Sequence, residues 1–192
     1  MKTEVVMING KGDYLPQALD RIEGLANVAT LSTKQSLYLR LLAEELFTLV
    51  RGITGDFDAS FWAENDGNEF KVALLADVVE VSEEQKNELI SLASNGKNSA
   101  HQGVMSKVGT IFEFLLKGFE CYNLNSKVSS LQYAELGASK EDNKWSLAAY
   151  KANVTEDEAL EELEKSIVAN IADDIVVSVV DKKVKIEIFK KF

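Results

Sequence analysis

The chain has 192 residues, a formal net charge of −10 at pH 7, 46% hydrophobic residues and 27% charged residues. This length and composition are typical of one soluble globular domain that buries about two-thirds of its unfolded surface. The negative charge argues against binding to the phosphate backbone of a nucleic acid. No apolar run approaches the roughly 20 residues of a bilayer-spanning helix, so no membrane partner is expected.

The content of cysteine and histidine excludes two kinds of site. One cysteine, Cys121, cannot form an internal disulfide, and with the single histidine, His101, it cannot build a Cys/His zinc site. The apolar run within 1–9 is too short for a signal peptide and is a predicted first strand. We therefore expect a reducing, cytoplasmic location and no metal.

Two helices are predicted after the first strand. Apolar residues recur at helical spacing over about 15–28, and the only proline, Pro16, lies where a first helical turn tolerates it. A second helix is predicted to begin at Ser32, with Gln35 completing a capping box, and to end at Gly52. The apolar stripe of this helix, which is predicted to face a sheet, consists of Leu39, Leu42, Leu46 and Val50.

The rest of the chain adds hairpins and further helices. Strands over 59–63 and 69–75 are predicted to form a hairpin, because Asn65-Asp66-Gly67-Asn68 between them is a strong turn signal. The other predicted elements are helices over 83–94 and about 103–118, a hairpin of strands 131–136 and 145–150, a helix opened by the capping box of Thr155 and Glu158, and strands over 175–180 and 183–189. The prediction is one α+β domain over 1–192, a two-layer sandwich in which a mixed or antiparallel sheet carries helices on one face.

A lysine-rich segment stands out from the acidic chain. Residues 182–191 hold five lysines against one acid, Glu187. The favoured interpretation is a solvated outer face of a strand, with lysines at a sheet edge that discourage aggregation. The alternative is a small docking surface for an acidic partner.

Two stretches resemble nucleotide-binding boxes. Leu42–Arg51 is similar to a helix with the pattern Glu-x-x-x-Asn, and Ala76–Glu80 is similar to a strand end with the pattern Asp-x-Gly-x-Gly. With the order of elements, they resemble the histidine-kinase-like ATPase domain (the GHKL or Bergerat fold) of sensor histidine kinases and anti-sigma-factor serine kinases. The resemblance covers 1–80 and 155–192, with an atypical insert at about 81–154.

The resemblance implies candidate site residues whose companions are missing. Glu45 matches the catalytic acid, but Leu49 stands where an asparagine would bind Mg²⁺, and leucine offers no oxygen ligand. Asp77 matches the adenine-binding aspartate, but Val79 and Val81 fill the glycine positions at which the backbone approaches the nucleotide. Glu45 and Asp77 are thus vestigial candidates for catalysis and nucleotide binding. Each also has a structural interpretation, as an ordinary helix acid and as a strand end that begins a turn.

These departures favour a degenerate member of the fold, a protein-binding regulatory module without a cofactor and without ATP turnover. By analogy with the anti-sigma kinases, the resemblance implies a bacterial regulatory protein as partner and admits a homodimer, and the insert at 81–154 would be the recognition surface. Two alternatives stay open. One is an active ATP-binding serine kinase that uses Asp77, Glu45 and Mg²⁺, and the other is an unrelated α+β domain with a structural role.

Overall fold

Seven strands and four helices make up the part of the chain that the computed structural model describes, residues 1–54, 57–77, 138–139, 144–153, 167–180 and 183–192. The strands are β1 (Val6–Asn9), β2 (Asp58–Asp66), β3 (Glu69–Asp77), β4 (Ala138–Ser139), β5 (Lys144–Ser146), β6 (Asp174–Val180) and β7 (Lys183–Lys191). The helices are α1 (Leu15–Val28), α2 (Thr33–Thr54), α3 (Leu147–Asn153) and α4 (Ile167–Ile171). The predicted helices over 83–94 and 103–118, the strand over 131–136 and the capping box at Thr155 lie outside the described residues, as does most of the insert at 81–154.

The described strands form one sheet in the order β1-β2-β3-β7-β6-β5-β4, and every neighbouring pair is antiparallel. The predicted α+β class with an antiparallel sheet is confirmed. The placement of the lysine-rich segment at a sheet edge is wrong, because β7 lies between β3 and β6. Alternate residues of β7, Val184, Ile186 and Ile188, are at most 1% exposed, and a central strand buries such a face fully.

One predicted turn and one predicted helix cap are specified by neighbouring residues in the sequence. In the β2–β3 hairpin, Gly67 and Asn68 form the turn between the last paired residues, Asp66 and Glu69. Gly67 has a φ of +61°, a conformation that favours glycine. At the start of α2, the Ser32 amide donates to Oε1 of Gln35 at 2.9 Å, and the Gln35 amide donates to Oγ of Ser32 at 3.4 Å. The hairpin and the capping box are confirmed, although α2 continues two residues past Gly52.

The predicted strand over 145–150 is wrong from residue 147 onward, because β5 ends at Ser146 and α3 begins at Leu147. The Ala149 amide donates to Oγ of Ser146 at 3.2 Å, the bond of an N-cap serine. A second cap comes from β6, where Oδ1 of Asp174 accepts from the Ala148 amide at 2.9 Å. A capping serine before an alanine-rich segment of high helix propensity favours a helix over a strand.

The core is one apolar cluster that the described helices share with one face of the sheet. The apolar stripe of α2 is at most 1% exposed, as predicted for a stripe that faces the sheet. From the strands, Phe61 on β2, Leu74 on β3 and Trp145 on β5 are each at most 1% exposed. We call the opposite side of the sheet the outer face. No described helix combines the length and the hydropathy needed to cross a membrane.

Candidate functional site

Glu45 lies on the half-buried flank of α2, one turn before Leu49. Residues four apart on a helix are neighbours on the same side, so the family's Glu and Asn would face one ligand. Here Leu49 is 2% exposed and belongs to the apolar cluster between the helix and the sheet. The next residue after Glu45 on this side of α2 is therefore buried in the core.

Asp77 is the last residue of β3, and its side chain lies on the outer face. The preceding Ala76 is fully buried in the core, and successive side chains of a strand point to opposite faces. Oδ1 of Asp77 lies 2.7 Å from Nζ of Lys183 on the paired strand β7, with the Asp77 side chain 59% exposed. The structure does not bring Asp77 and Glu45 together, because Glu45 belongs to a helix on the other side of the sheet.

A chain of five alternating charges crosses the outer face, and the sequence motifs gave no indication of it. Nζ of Lys2 lies 3.3 Å from Oε1 of Glu64, whose Oε2 lies 2.9 Å from Nζ of Lys71. Lys71 also reaches Oε1 of Glu187 at 3.4 Å, and Lys185 contacts the same oxygen at 2.8 Å. We call these five residues the charge network.

The charge network shifts the pKa values of its central residues. The hydrogen bond from Lys71 is the main cause that lowers the pKa of Glu64 from 4.5 to about 2, against the opposing effect of burial. The indole of Trp62 adds a hydrogen bond from Nε1 to Oε1 of Glu64 at 2.8 Å. Burial alone would lower the pKa of Lys71, but the bond to Glu64 and the charge of Glu187 outweigh it, so this pKa is raised.

The lysines of β7 that the structure describes each contact an acid. Besides the contacts of Lys183 and Lys185 given above, Nζ of Lys190 lies 2.8 Å from Oδ1 of Asp173, and Nζ of Lys191 lies 3.2 Å from Oε1 of Glu69. The positive charge of these four lysines is therefore balanced locally in the fold.

A shallow depression of 620 Å³ lies on the outer face beside the β2–β3 hairpin. Lys2, Glu64, Lys71, Glu69 and Phe189 contribute to its lining, so both signs of charge meet there. Among the residues that the structure describes, no group of three or more His, Cys, Asp or Glu side chains is placed to hold a metal ion.

Exposed apolar side chains gather at one end of the sheet. Val5 is 54% exposed, and Met7 of β1 is 59% exposed. Met7 pairs with Ser60 of β2, whose neighbours Phe61 and Ala59 are buried in the core, so Met7 lies on the outer face. β1 is the terminal strand of the described sheet, so these side chains lie beside a strand edge.

Neutralising Glu64 is expected to reduce both the stability and its dependence on pH. Because folding lowers the pKa of Glu64, its contribution is present above pH 4.5 and is lost as the pH falls from 4.5 towards 2. The side chain is 33% exposed, so solvent screening limits the expected loss for Glu64→Gln to about 1 kcal/mol at pH 7. Urea unfolding at pH 7 and pH 3 should show a smaller difference between the two pH values in this variant than in the wild type.

The control for this measurement is Glu69→Gln, which removes an acid of the same strand pair that is 68% exposed. We expect it to retain the pH dependence of the wild type. An equal loss of pH dependence in both variants would contradict the role given to the charge network.

The two predicted site residues and the charge network are thus three separate features of the described structure. The GHKL resemblance depends on the sequence motifs and stays a prediction. No protein-family model matches the chain, and neither a curated protein nor a solved structure does.

Proposed function

We propose that this protein acts in the cytoplasm as a regulatory module of the GHKL type that binds another protein and does not turn over ATP. The observation that carries this proposal is the separation of its two nucleotide-box acids. Glu45 lies on α2, on the helix side of the sheet, whereas the carboxylate of Asp77 is bound to Lys183 on the outer face. The two acids thus lie on opposite sides of the sheet, which argues against one nucleotide that contacts both.

The surroundings of each acid support the same conclusion. Mg²⁺ takes oxygen ligands in a demanding octahedral geometry. One turn after Glu45 the chain offers the hydrocarbon side chain of Leu49, which is buried in the core. An adenine amino group at Asp77 would have to share the carboxylate with a lysine ammonium that lies 2.7 Å from Oδ1, or displace it.

The described surface is better suited to a protein than to a nucleotide. The described part of the outer face alternates in charge along the charge network, so this part presents no cationic cradle for a polyphosphate. Exposed Val5 and Met7 supply apolar area beside this polar surface. Apolar contacts with a polar rim are the usual anatomy of a protein interface. By analogy with anti-sigma kinases, the proposed partner is a bacterial regulatory protein.

A thermal-shift titration with ATP and ADP, with and without Mg²⁺, tests the proposal. A ligand at 100 times its dissociation constant would stabilise the fold by about 2.7 kcal/mol, which a melting curve resolves. We expect no shift at millimolar nucleotide. Mg²⁺-dependent ATP turnover that Glu45→Gln abolishes and Glu44→Gln retains would overturn the proposal and favour the kinase. Glu44 is a suitable control because it is the neighbouring acid and pairs with Arg40.

A further inference from the structure

We propose that an extra residue just before β1 forms a bulge that protects this edge of the sheet from pairing with strands of other chains. The bulge consists of Glu4 and Val5, which together lie opposite Trp62 of β2. Protection of the edge goes beyond the proposed function and does not depend on it. Its test can fail or succeed whatever the nucleotide titration shows.

The pairing of the chain with β2 changes by one residue within this segment. Lys2 lies opposite Glu64 in an antiparallel bridge, whereas Val6 lies opposite Phe61. Residues 3–5 separate these two pairs on one strand, but only residues 62–63 separate them on β2. One surplus residue on one strand of an antiparallel pair defines a β-bulge.

Hydrogen bonds assign the surplus to Glu4 and Val5. The Thr3 amide donates to the Ala63 carbonyl at 2.9 Å, and Oγ1 of Thr3 accepts from the Ala63 amide at 2.9 Å. Thr3 is therefore the partner of Ala63. Glu4 and Val5 are left to share the place opposite the single residue Trp62.

The ion pairs on this segment show the same change independently. In a regular strand, residues two apart point to the same face of the sheet. Nζ of Lys2 lies 3.3 Å from Oε1 of Glu64 on the outer face. Two residues later, Oε2 of Glu4 lies 2.7 Å from Nη2 of Arg21, which belongs to α1 on the helix side. The chain thus leaves the regular alternation between Lys2 and Glu4.

On either side of the bulge, main-chain groups face away from β2. The Gly10 amide donates to the Phe57 carbonyl at 2.8 Å. Residues of an antiparallel strand bond alternately to one side and the other, so the N–H and C=O of Met7, three residues earlier, point away from β2. Lys2 points away for the same reason, because the next residue, Thr3, is bonded to β2.

The bulge lies between these two residues and interrupts the row of groups that another strand would need. In a regular strand, one residue opposite Trp62 would also point outward and make the row continuous. Here two residues share that place, and a bulge disrupts the hydrogen-bond ladder locally. Beyond Met7, the Asn9 carbonyl already accepts from the Gly12 amide at 3.0 Å. A second strand therefore finds no continuous row of donors and acceptors from Lys2 to Asn9.

The composition of this edge explains why it needs protection. Among the described strands, β1 has a neighbour on one side only. The run Val5-Val6-Met7-Ile8 is apolar and rich in β-branched residues, and Val5 and Met7 are more than half exposed. Exposed apolar edges are sites of aggregation, and natural sheets use bulges to prevent it. The bulge thus keeps the main chain closed to pairing while these apolar side chains stay exposed.

Deletion of Val5 tests the proposal, because Glu4 alone would then lie opposite Trp62 and the pairs on either side would keep their register. We expect light scattering and sedimentation of the full chain to show association at least about tenfold faster than in the wild type. Adding Met7→Pro to the deletion should reverse the association, since proline removes an outward N–H and leaves the bonds to β2 in place. Val5→Ala is the matched control, because it keeps the bulge and should behave as the wild type.

A second control separates edge pairing from association through unfolded chains. Val6→Ala should destabilise the fold without changing the bulge, because Val6 is 6% exposed in the core, and we expect no association of this variant while it is folded. If the chain without Val5 does not fold, deletion of Glu4 takes its place, since it also leaves one residue opposite Trp62. The proposal is wrong if a folded deletion variant associates no faster than the wild type, if Met7→Pro does not reverse its association, or if folded Val6→Ala associates equally fast.

Discussion

Leu49→Asn is expected to lower the free energy of unfolding by roughly 3 kcal/mol and to create no ATPase activity. The substitution restores the family's Mg²⁺ ligand in the sequence, but position 49 is 2% exposed and lies in the apolar cluster. The amide would lose hydrogen bonds to water, and the lost hydrocarbon contacts would add to the cost. Urea unfolding gives the stability, and a phosphate-release assay with Mg²⁺ gives the activity.

The matched control is Thr48→Asn, which introduces the same side chain at the preceding, exposed position of α2. Its effect on stability should be well below that of Leu49→Asn. A Leu49→Asn protein that is as stable as the control and binds Mg²⁺-ATP would show that this side of α2 faces a ligand site. Such a result would refute the assignment of Leu49 to the core.

Phe61→Ala is expected to cost about 3–5 kcal/mol, enough to unfold a domain of ordinary stability. Phe61 is 1% exposed on the helix side of β2, where it pairs with Val6 and Leu74 of the neighbouring strands. Removing its ring would leave a cavity that the surrounding sheet and helices cannot close. Equilibrium urea unfolding measures the loss, and circular dichroism at 25 °C shows whether the variant is still folded.

Ser60→Ala tests whether the loss belongs to the helix side of the sheet. Ser60 precedes Phe61 on the same strand and lies on the outer face. Removing its hydroxyl should therefore change the unfolding free energy by less than about 0.5 kcal/mol. Comparable losses in the two variants would mean that the two faces of β2 are wrongly assigned.

Elements specified by adjacent residues were predictable from the sequence. The capping box of Ser32 and Gln35 and the turn at Gly67 act within four residues, so both are visible as short patterns. The sequence predicts a strand at the start of α3 because one of the two residues that cap this helix is distant in the sequence. Asp174, which accepts from the Ala148 amide, lies 26 residues further along the chain. No local pattern contains that interaction.

The arrangement of the candidate site depends on strand register, which could not be predicted from the sequence. Val72 to Ala76 is a continuous apolar run, so alternation does not reveal which residues face the helices. The side on which Asp77 lies could therefore not be read from its position after the strand. The charge network poses the same problem, since Glu64, Lys71 and Glu187 meet only when β2, β3 and β7 are paired.

The central position of β7 also dictates how the sheet can assemble during synthesis. Glu69 and Lys191 are paired neighbours although they lie 122 residues apart, so the contact closes a very long loop. β1, β2 and β3 can pair as soon as they leave the ribosome, but one edge of β3 stays open until residues 183–191 have been made. Such distant pairing is slow, and an open edge is exposed meanwhile to other unfolded chains. Insertion of β7 is therefore the step that joins the two halves of the described sheet and ends this period of exposure.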